Sequence, residues 1–325
     1  MQTCQILGSG HAVPERILTN ADLEQMVDTN NEWIVERSGI RQRHIAEPGS
    51  SLSDLAADAV NQALERAHTA AQDIDLIIVG TVTGDMKFPA MACLLQEKIG
   101  ATKAAAFDIS AACSGFLYGL HLAKSLMQTC PYQRVLVVAA EMLSSMINWE
   151  DRNTCVLFGD GAGAVVLGPA EGERGILSST IHSDGHYSDL LYNPAGSQHV
   201  LRAEDIDNNL ATIHMQGREV FRHAVSSMTS ALNEALEHAE LSAGDLDFVI
   251  PHQANIRIIE AIAKRFKLPQ EKIIINVERF GNTSAASIPI ALDEAIQNGT
   301  IKKGDVVGLT TFGAGLTWAA SIIRI

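Results

Sequence analysis

The chain has 325 residues, 46% of them hydrophobic, enough to bury a sizeable core in one large or two medium domains. A formal charge of −14 argues against nucleic acid as a general partner, because a phosphate backbone is held by a surplus of Lys and Arg. The five cysteines form no CxxC pair and leave an odd count, so neither a disulfide framework nor a zinc site is suggested. No apolar run approaches the roughly 18 residues of a membrane span. Met1 to Gly10 shows no basic segment followed by an apolar stretch, so a cytoplasmic protein with reduced thiols is expected.

In chain order, the first informative stretch is Leu64-Glu65-Arg66-Ala67, leading through Asp73-Ile74-Asp75 to the apolar run Leu76 to Gly80. It reads as an amphipathic helix, a short polar loop and a buried strand. The pattern returns 172 residues later, from Leu236-Glu237-His238-Ala239 through Asp245-Leu246-Asp247 to Phe248 to His252. Next, the run Phe107 to Phe116 passes from strand to helix at Cys113 with only small residues around the thiol. Helix N-termini carry unpaired N–H groups and partial positive charge, so a thiol there is expected to have its pKa lowered. Its stretch Ser110-Ala111-Ala112-Cys113 is echoed by Ser284-Ala285-Ala286-Ser287, which makes Ser287 the expected counterpart of Cys113.

Val135 to Ala140 and Val306 to Thr310 are short and continuously apolar, which predicts parallel strands covered on both faces by helices. Phe158-Gly159-Asp160-Gly161 and Phe312-Gly313-Ala314-Gly315 form a third echo, each before a β-rich run, and neither has the spacing of a phosphate or dinucleotide loop. Two similar α/β halves follow, 1–170 and 171–325, with a crossing at the polar segment 171–174 and one shared core. A single copy would leave a sheet edge and an apolar face open, so packing of halves, and of two chains, is expected.

In the second half His252 closes an apolar strand, where open α/β sheets place ligands, and Asn255 suits the N-cap of the helix that follows. Arg257, Lys264, Arg265 and Lys267, with Arg222, form the one basic island. Asn282 follows a glycine and opens a string of small residues. Cys, His and Asn at strand ends or turns fit either a thiol-protease-like triad or an acyl-transfer site.

The segments Ser110-Ala111-Ala112-Cys113-Ser114-Gly115, Pro251-His252-Gln253-Ala254-Asn255, Gly281-Asn282-Thr283-Ser284-Ala285 and Phe312-Gly313-Ala314-Gly315 resemble, in order, the signatures of the β-ketoacyl-acyl-carrier-protein synthase III family. The resemblance implies a homodimer of the thiolase fold, each chain two βαβαβαββ halves in five αβαβα layers. It implies that Cys113 takes an acyl group from acyl-CoA, with acyl-CoA a substrate and no cofactor or metal required. The acyl-enzyme then condenses with malonyl-carrier protein as carbon dioxide leaves. His252 and Asn282 are the implied donors to the enolate, and the backbone N–H groups of Cys113 and Ala314 the implied oxyanion donors; the family often has Gly where this chain has Ala314. For CoA the matching positions are Thr29, Trp33, Arg37, Arg152, Gly217, Phe221 and Asn255. For the acyl pocket they are Phe88, Leu143, Phe158 and Leu191, with Phe88 reaching across the dimer. The carrier protein is expected on Arg222, Arg257, Lys264 and Arg265. Asp85-Met86-Lys87 and Tyr192-Asn193-Pro194 depart from the pattern of strict acetyl-CoA users, which leaves chain length open. A specialised or longer-chain condensing enzyme is the alternative, and a non-catalytic carrier-binding scaffold the third reading.

Overall fold

The computed structural model describes residues 4–197 and 202–325. Its first half runs β1 (Cys4–Ala12), α1 (Asn31–Ser38), α2 (Leu52–Arg66), β2 (Leu76–Gly80), α3 (Met91–Ile99), β3 (Ala105–Ile109), α4 (Gly115–Thr129), β4 (Val135–Met142) and β5 (Asp160–Pro169). Its second half runs β6 (Gly175–Ser183), α5 (Gly217–His238), β7 (Phe248–Pro251), α6 (Ile256–Phe266), α7 (Ser287–Gln297), β8 (Val306–Gly313) and β9 (Thr317–Arg324). Residues 170–174 make the turn from β5 to β6.

The first sheet has the order β1-β5-β4-β2-β3 and the second β7-β8-β9-β6. Only β4, β2 and β3, and β7 with β8, pair in parallel; β1 and β5, and β6 and β9, are antiparallel. The sheets are thus mixed rather than parallel. The two runs expected to be parallel, β4 and β8, each pair in parallel with one neighbour and antiparallel with the other, because a continuous apolar run reports burial on both faces and does not fix both pairings.

That double burial builds five layers. Leu76, Ile78, Val137 and Val165 face a central layer made by α4 and α7, and Val307, Leu309 and Ala319 of the second sheet meet it from the other side. Their neighbours Ile77, Val79, Val138 and Val166 point outward to α2 and α3. On the far face of the second sheet, Ala320 and Ile322 pack on Leu232 and Ala235 of α5 and Ile259 of α6. Period-two alternation lets each strand serve two cores.

The halves superimpose as sequences at an offset of 172. Asp75 accepts the N–H groups of Gln133 and Arg134 before β4, and Asp247 accepts that of Val306 at the start of β8. The turn Ala112–Ser114 leads into α4, and the turn Ser284–Ala286 into α7. Left-handed backbone marks the same place in each, at Ala112 (φ +46°) and Ser284 (φ +51°). Cys113 therefore corresponds to Ala285, and Ser287 to Gly115. The expected pairing of Cys113 with Ser287 is wrong by two residues, because a repeat of small residues can be slid while a positive φ cannot.

One asymmetry remains. The first sheet ends on β3, a five-residue strand with one open edge, whereas the second continues past β7 only as a single parallel bridge between Val249 and Ile273. No described helix is long and apolar enough to cross a membrane.

Candidate active site

Two glycines bring Cys113 into place. A Cβ on Gly80 at the end of β2 would lie 2.7 Å from the carbonyl carbon of Gly115, so its absence lets the start of α4 sit on the strand end. A Cβ on Gly313 would lie 2.7 Å from the Cys113 nitrogen, so the β8 end can pass directly beside the nucleophile. The Thr311 hydroxyl donates to the Cys113 carbonyl at 2.9 Å, and Thr317 to the carbonyls of Ala111 and Ala314 at 3.0 and 3.1 Å.

His252 follows β7, its N–H bonded to the Thr310 carbonyl at 2.8 Å, and it is 4% exposed. Its Nδ1 lies 2.7 Å from Ser287 Oγ, which also accepts the Gln253 N–H at 3.3 Å. When that hydroxyl donates to Nδ1, Nε2 carries the ring proton. Burial pulls the imidazole pKa down to about 4, so the ring is neutral near pH 7. Asn282 is locked in the same sense. Its Oδ1 accepts the Ser284 N–H at 2.9 Å, so the NH2 group is the free end. Its backbone bridges to the other half: Asn282 N–H donates to the Leu157 carbonyl at 2.8 Å, and Gly159 N–H to the Asn282 carbonyl at 3.0 Å.

Cys113, His252 and Asn282 line one cavity of about 690 Å³. Trp33, Arg37, Gly217, Phe221, Asn255 and Arg257 line it too, as do Phe158 and Leu191. The guanidinium carbons of Arg37 and Arg152 lie 4.9 and 5.3 Å from the centre of the Trp33 ring, and Arg152 also holds the Asp28 carbonyl at 2.9 Å. Asn255 caps α6 through the Arg257 N–H at 2.8 Å, and its amide donates to the Arg37 carbonyl at 2.9 Å.

Other expected residues stand apart from the cavity lining. Thr29 has a buried hydroxyl without a partner, Leu143 is 4% exposed, and Arg152 meets Trp33 from outside. Phe88 projects from its loop at 84% exposure. Ala314 is half-buried next to the Cys113 turn. Lys264, Arg265 and Lys267 are exposed on α6 and its cap, while Arg222 is paired with Glu219 at 2.9 Å.

The thiol itself departs from expectation. Burial pushes the Cys113 pKa up to about 11, the nearby Glu141 carboxyl adds to the rise, and a hydrogen bond from Ser284 works against it. Cys113 is half-buried and lines the cavity, so the push of desolvation on its thiol opposes the pull of the helix N-terminus. Three functional candidates escaped the sequence reading: Glu141, Ser284 and the role of Ser287. Glu141 left a trace, as a lone acid closing the apolar run Val135 to Ala140.

The chain matches family models described as 3-oxoacyl-[acyl-carrier-protein] synthase III over residues 107–185 and its C-terminal part over residues 236–325. It is 55% identical to a β-ketoacyl-[acyl-carrier-protein] synthase III of Caldanaerobacter subterraneus, over 98% of this chain and 97% of the relative. Its structure resembles the crystal structure of 3-oxoacyl-[acyl-carrier-protein] synthase III from Aquifex aeolicus at a TM-score of 0.93 and 44% identity, covering 99% and 100% of the two chains. It also resembles the priming β-ketosynthase of the R1128 polyketide pathway, at a TM-score of 0.93 and 35% identity, covering 100% and 96%.

Proposed function

Because the chain belongs to the β-ketoacyl-[acyl-carrier-protein] synthase III family of condensing acyltransferases that initiate fatty acid synthesis, we propose that Cys113, His252 and Asn282 divide its two half-reactions. In the first, Cys113 Sγ attacks the thioester carbon of acyl-CoA and CoA leaves as the thiol. Negative charge gathers on the carbonyl oxygen, and the N–H groups of Cys113 and Ala314 are the donors for it. In the second, malonyl-carrier protein loses carbon dioxide and the resulting enolate carbon attacks the acyl group on Cys113. The enolate oxygen needs neutral donors, since an imidazolium would surrender its proton to it. The observation that carries this reading is that His252 Nδ1 is engaged by Ser287 and Asn282 Oδ1 by the Ser284 N–H, which turns Nε2 and the amide NH2 to the Cys113 cavity that both residues line.

CoA would run along the same cavity. Trp33 offers a ring face to adenine beside the guanidinium groups of Arg37 and Arg152, which suit its phosphates. Gly217, Phe221 and Asn255 line the path of the pantetheine arm, and Thr29 adds a hydroxyl that lacks a partner. Phe158 and Leu191 receive the acyl chain, with Leu143 packed in the same core cluster. An acidic carrier protein meeting a chain of net charge −14 needs a cationic landing place, and Arg257, Lys264 and Arg265 are exposed on α6, with Arg222 on α5. The open edge of β3 and the exposed Phe88 support a homodimer in which Phe88 reaches the acyl pocket of the second copy. Five unpaired cysteines suit a reducing cytoplasm.

Intact-protein mass spectrometry after incubation with acetyl-, octanoyl- and branched acyl-CoA tests the first half-reaction and ranks the starters. An acyl adduct mapped to Cys113 is expected. Absence of any adduct would leave a carrier-binding scaffold as the better reading.

A further inference from the structure

Glu141 is the one acid of β4 and is completely buried. Its carboxyl accepts from the Thr83 hydroxyl, from Thr81 Oγ1 at 3.4 Å and from the Val82 N–H at 3.2 Å. An amide oxygen would satisfy these donors equally well, so an acid is more than the fold needs. Among the described residues no Lys, Arg or His forms an ion pair with it, and an unpaired carboxylate is expensive to bury. Its Oε1, which shares the Val82 N–H at 3.3 Å, faces the Ser284 hydroxyl at 3.4 Å, and that hydroxyl lies 3.4 Å from Cys113 Sγ.

Ser284 is held for this place. Its backbone is left-handed, a strained choice for a residue with a side chain, and its N–H is fixed on Asn282 Oδ1. The matching left-handed residue of the first half is Ala112, so the turn demands the conformation but not a hydroxyl. One hydroxyl thus stands between a half-buried thiol and a buried acid, able to accept a proton from the first and give its own to the second.

We propose that Glu141 takes up the thiol proton of Cys113, through the Ser284 hydroxyl, as the acyl-enzyme forms. The proposal rests on the reading of Cys113 as the acylated residue. As Sγ bonds to the thioester carbon, the S–H proton passes to Ser284 Oγ and the Ser284 proton passes to Oε1. When the tetrahedral intermediate collapses, the carbon–sulfur bond to CoA breaks and the proton returns through Ser284 to the CoA sulfur. No proton or electron is gained or lost.

The surroundings suit the task. Burial raises the carboxyl pKa to about 7, where a general base works best at neutral pH, while the thiol stands near 11 and needs such help. The other titratable groups nearby are committed elsewhere. Asp160, opposite Met142 on the paired strand, accepts from the Ala46 N–H and from Ser144, and His252 is neutral.

The test is single-turnover acylation of Cys113 by acetyl-CoA, or by whichever acyl-CoA labels the unaltered protein best, followed by intact mass from pH 5.5 to 9 in H2O and D2O. The unaltered protein should show a rate that rises through a limb near pH 7 and slows about twofold in D2O. Glu141→Gln should be about 100-fold slower at pH 8 and lack the limb. Glu141→Asp should keep the limb at a reduced rate, and Ser284→Ala should lose the D2O effect. Should Glu141→Gln fail to fold, the last two variants decide the matter. The same limb in Glu141→Gln, or an unchanged D2O effect in Ser284→Ala, overturns the proposal while leaving Cys113 acylation intact. An unaltered protein that no acyl-CoA labels would instead remove the reading beneath it.

Discussion

Asn282 shows how much one side chain can be asked to do. Its Oδ1 is spent on the Ser284 N–H, and its backbone is strapped to Leu157 and Gly159, so the NH2 group cannot rotate to present oxygen. On the proposed mechanism, replacing it by Ala deletes a donor to the enolate and also releases the Ser284 N–H, so condensation suffers most and acylation, through Ser284, to a smaller degree. Loss of one such donor removes about 2.7 to 4 kcal/mol of transition-state stabilisation. Asn282→Ala should therefore condense roughly 100- to 1,000-fold more slowly yet still accept a labelled acyl group on Cys113. If the label never reaches Cys113 in that variant, the division between half-reactions is wrong.

At the scale of the element, α6 presents two faces. Ile258, Ile259, Ile262 and Ala263 are buried, whereas Arg257, Lys264 and Arg265 are exposed. The basic island was legible because residues seven apart share a helix face. Its subdivision was not, since only the fold shows that Arg257 also lines the cavity while Arg265 does not. This separates two predictions that sequence alone would merge. Arg265→Glu should raise the KM for malonyl-carrier protein about 3- to 10-fold and leave the acylation rate with acyl-CoA alone, as a rim charge does. Arg257→Glu should weaken both substrates. Equal effects of Arg265→Glu on both steps would make that residue structural.

The whole molecule couples site chemistry to stability. Glu141 has its pKa raised from 4.5 to about 7, so its favourable contribution is present below pH 4.5 and is lost as pH rises through 7. His252 is shifted the other way, from 6.5 to about 4, so its contribution is present above pH 6.5 and is lost as pH falls through 4. Each change amounts to about 3 kcal/mol, and between pH 4.5 and 6.5 the two slopes oppose one another. Denaturant midpoints across pH 4 to 8 should expose this. Relative to the unaltered protein, Glu141→Gln should gain stability as pH rises from 4.5 to 7, and His252→Gln as pH falls from 6.5 to 4. A flat difference for either variant would mean that its group titrates normally.

Much of this molecule could be read in advance. The duplication, the strand-to-helix turn at Cys113 and the ends of β7 and β8 were all written locally, as periodicity or as small residues at a junction. Features that depend on contact across the halves were not. Strand direction in the mixed sheets, the bond from Ser287 to His252 and the Glu141–Ser284–Cys113 line join residues up to 171 positions apart, and nothing in their own neighbourhoods names the partner. The desolvation that acts against a low thiol pKa was hidden for the same reason, since burial is a property of the assembled chain.

The correspondence of Cys113 with Ala285 carries one more lesson. Two copies of one turn lie back to back, and a Cβ on Gly115 would come within 3.3 Å of the Ala285 methyl. On the proposed mechanism one copy carries the nucleophile, while the other holds a methyl there and supplies Ser284 and Asn282 instead, so each half is an accessory of the other. A recombinant pairing two first halves would carry two thiols and no donors to the enolate, so chimaeras of such enzymes must exchange complementary halves rather than duplicate one.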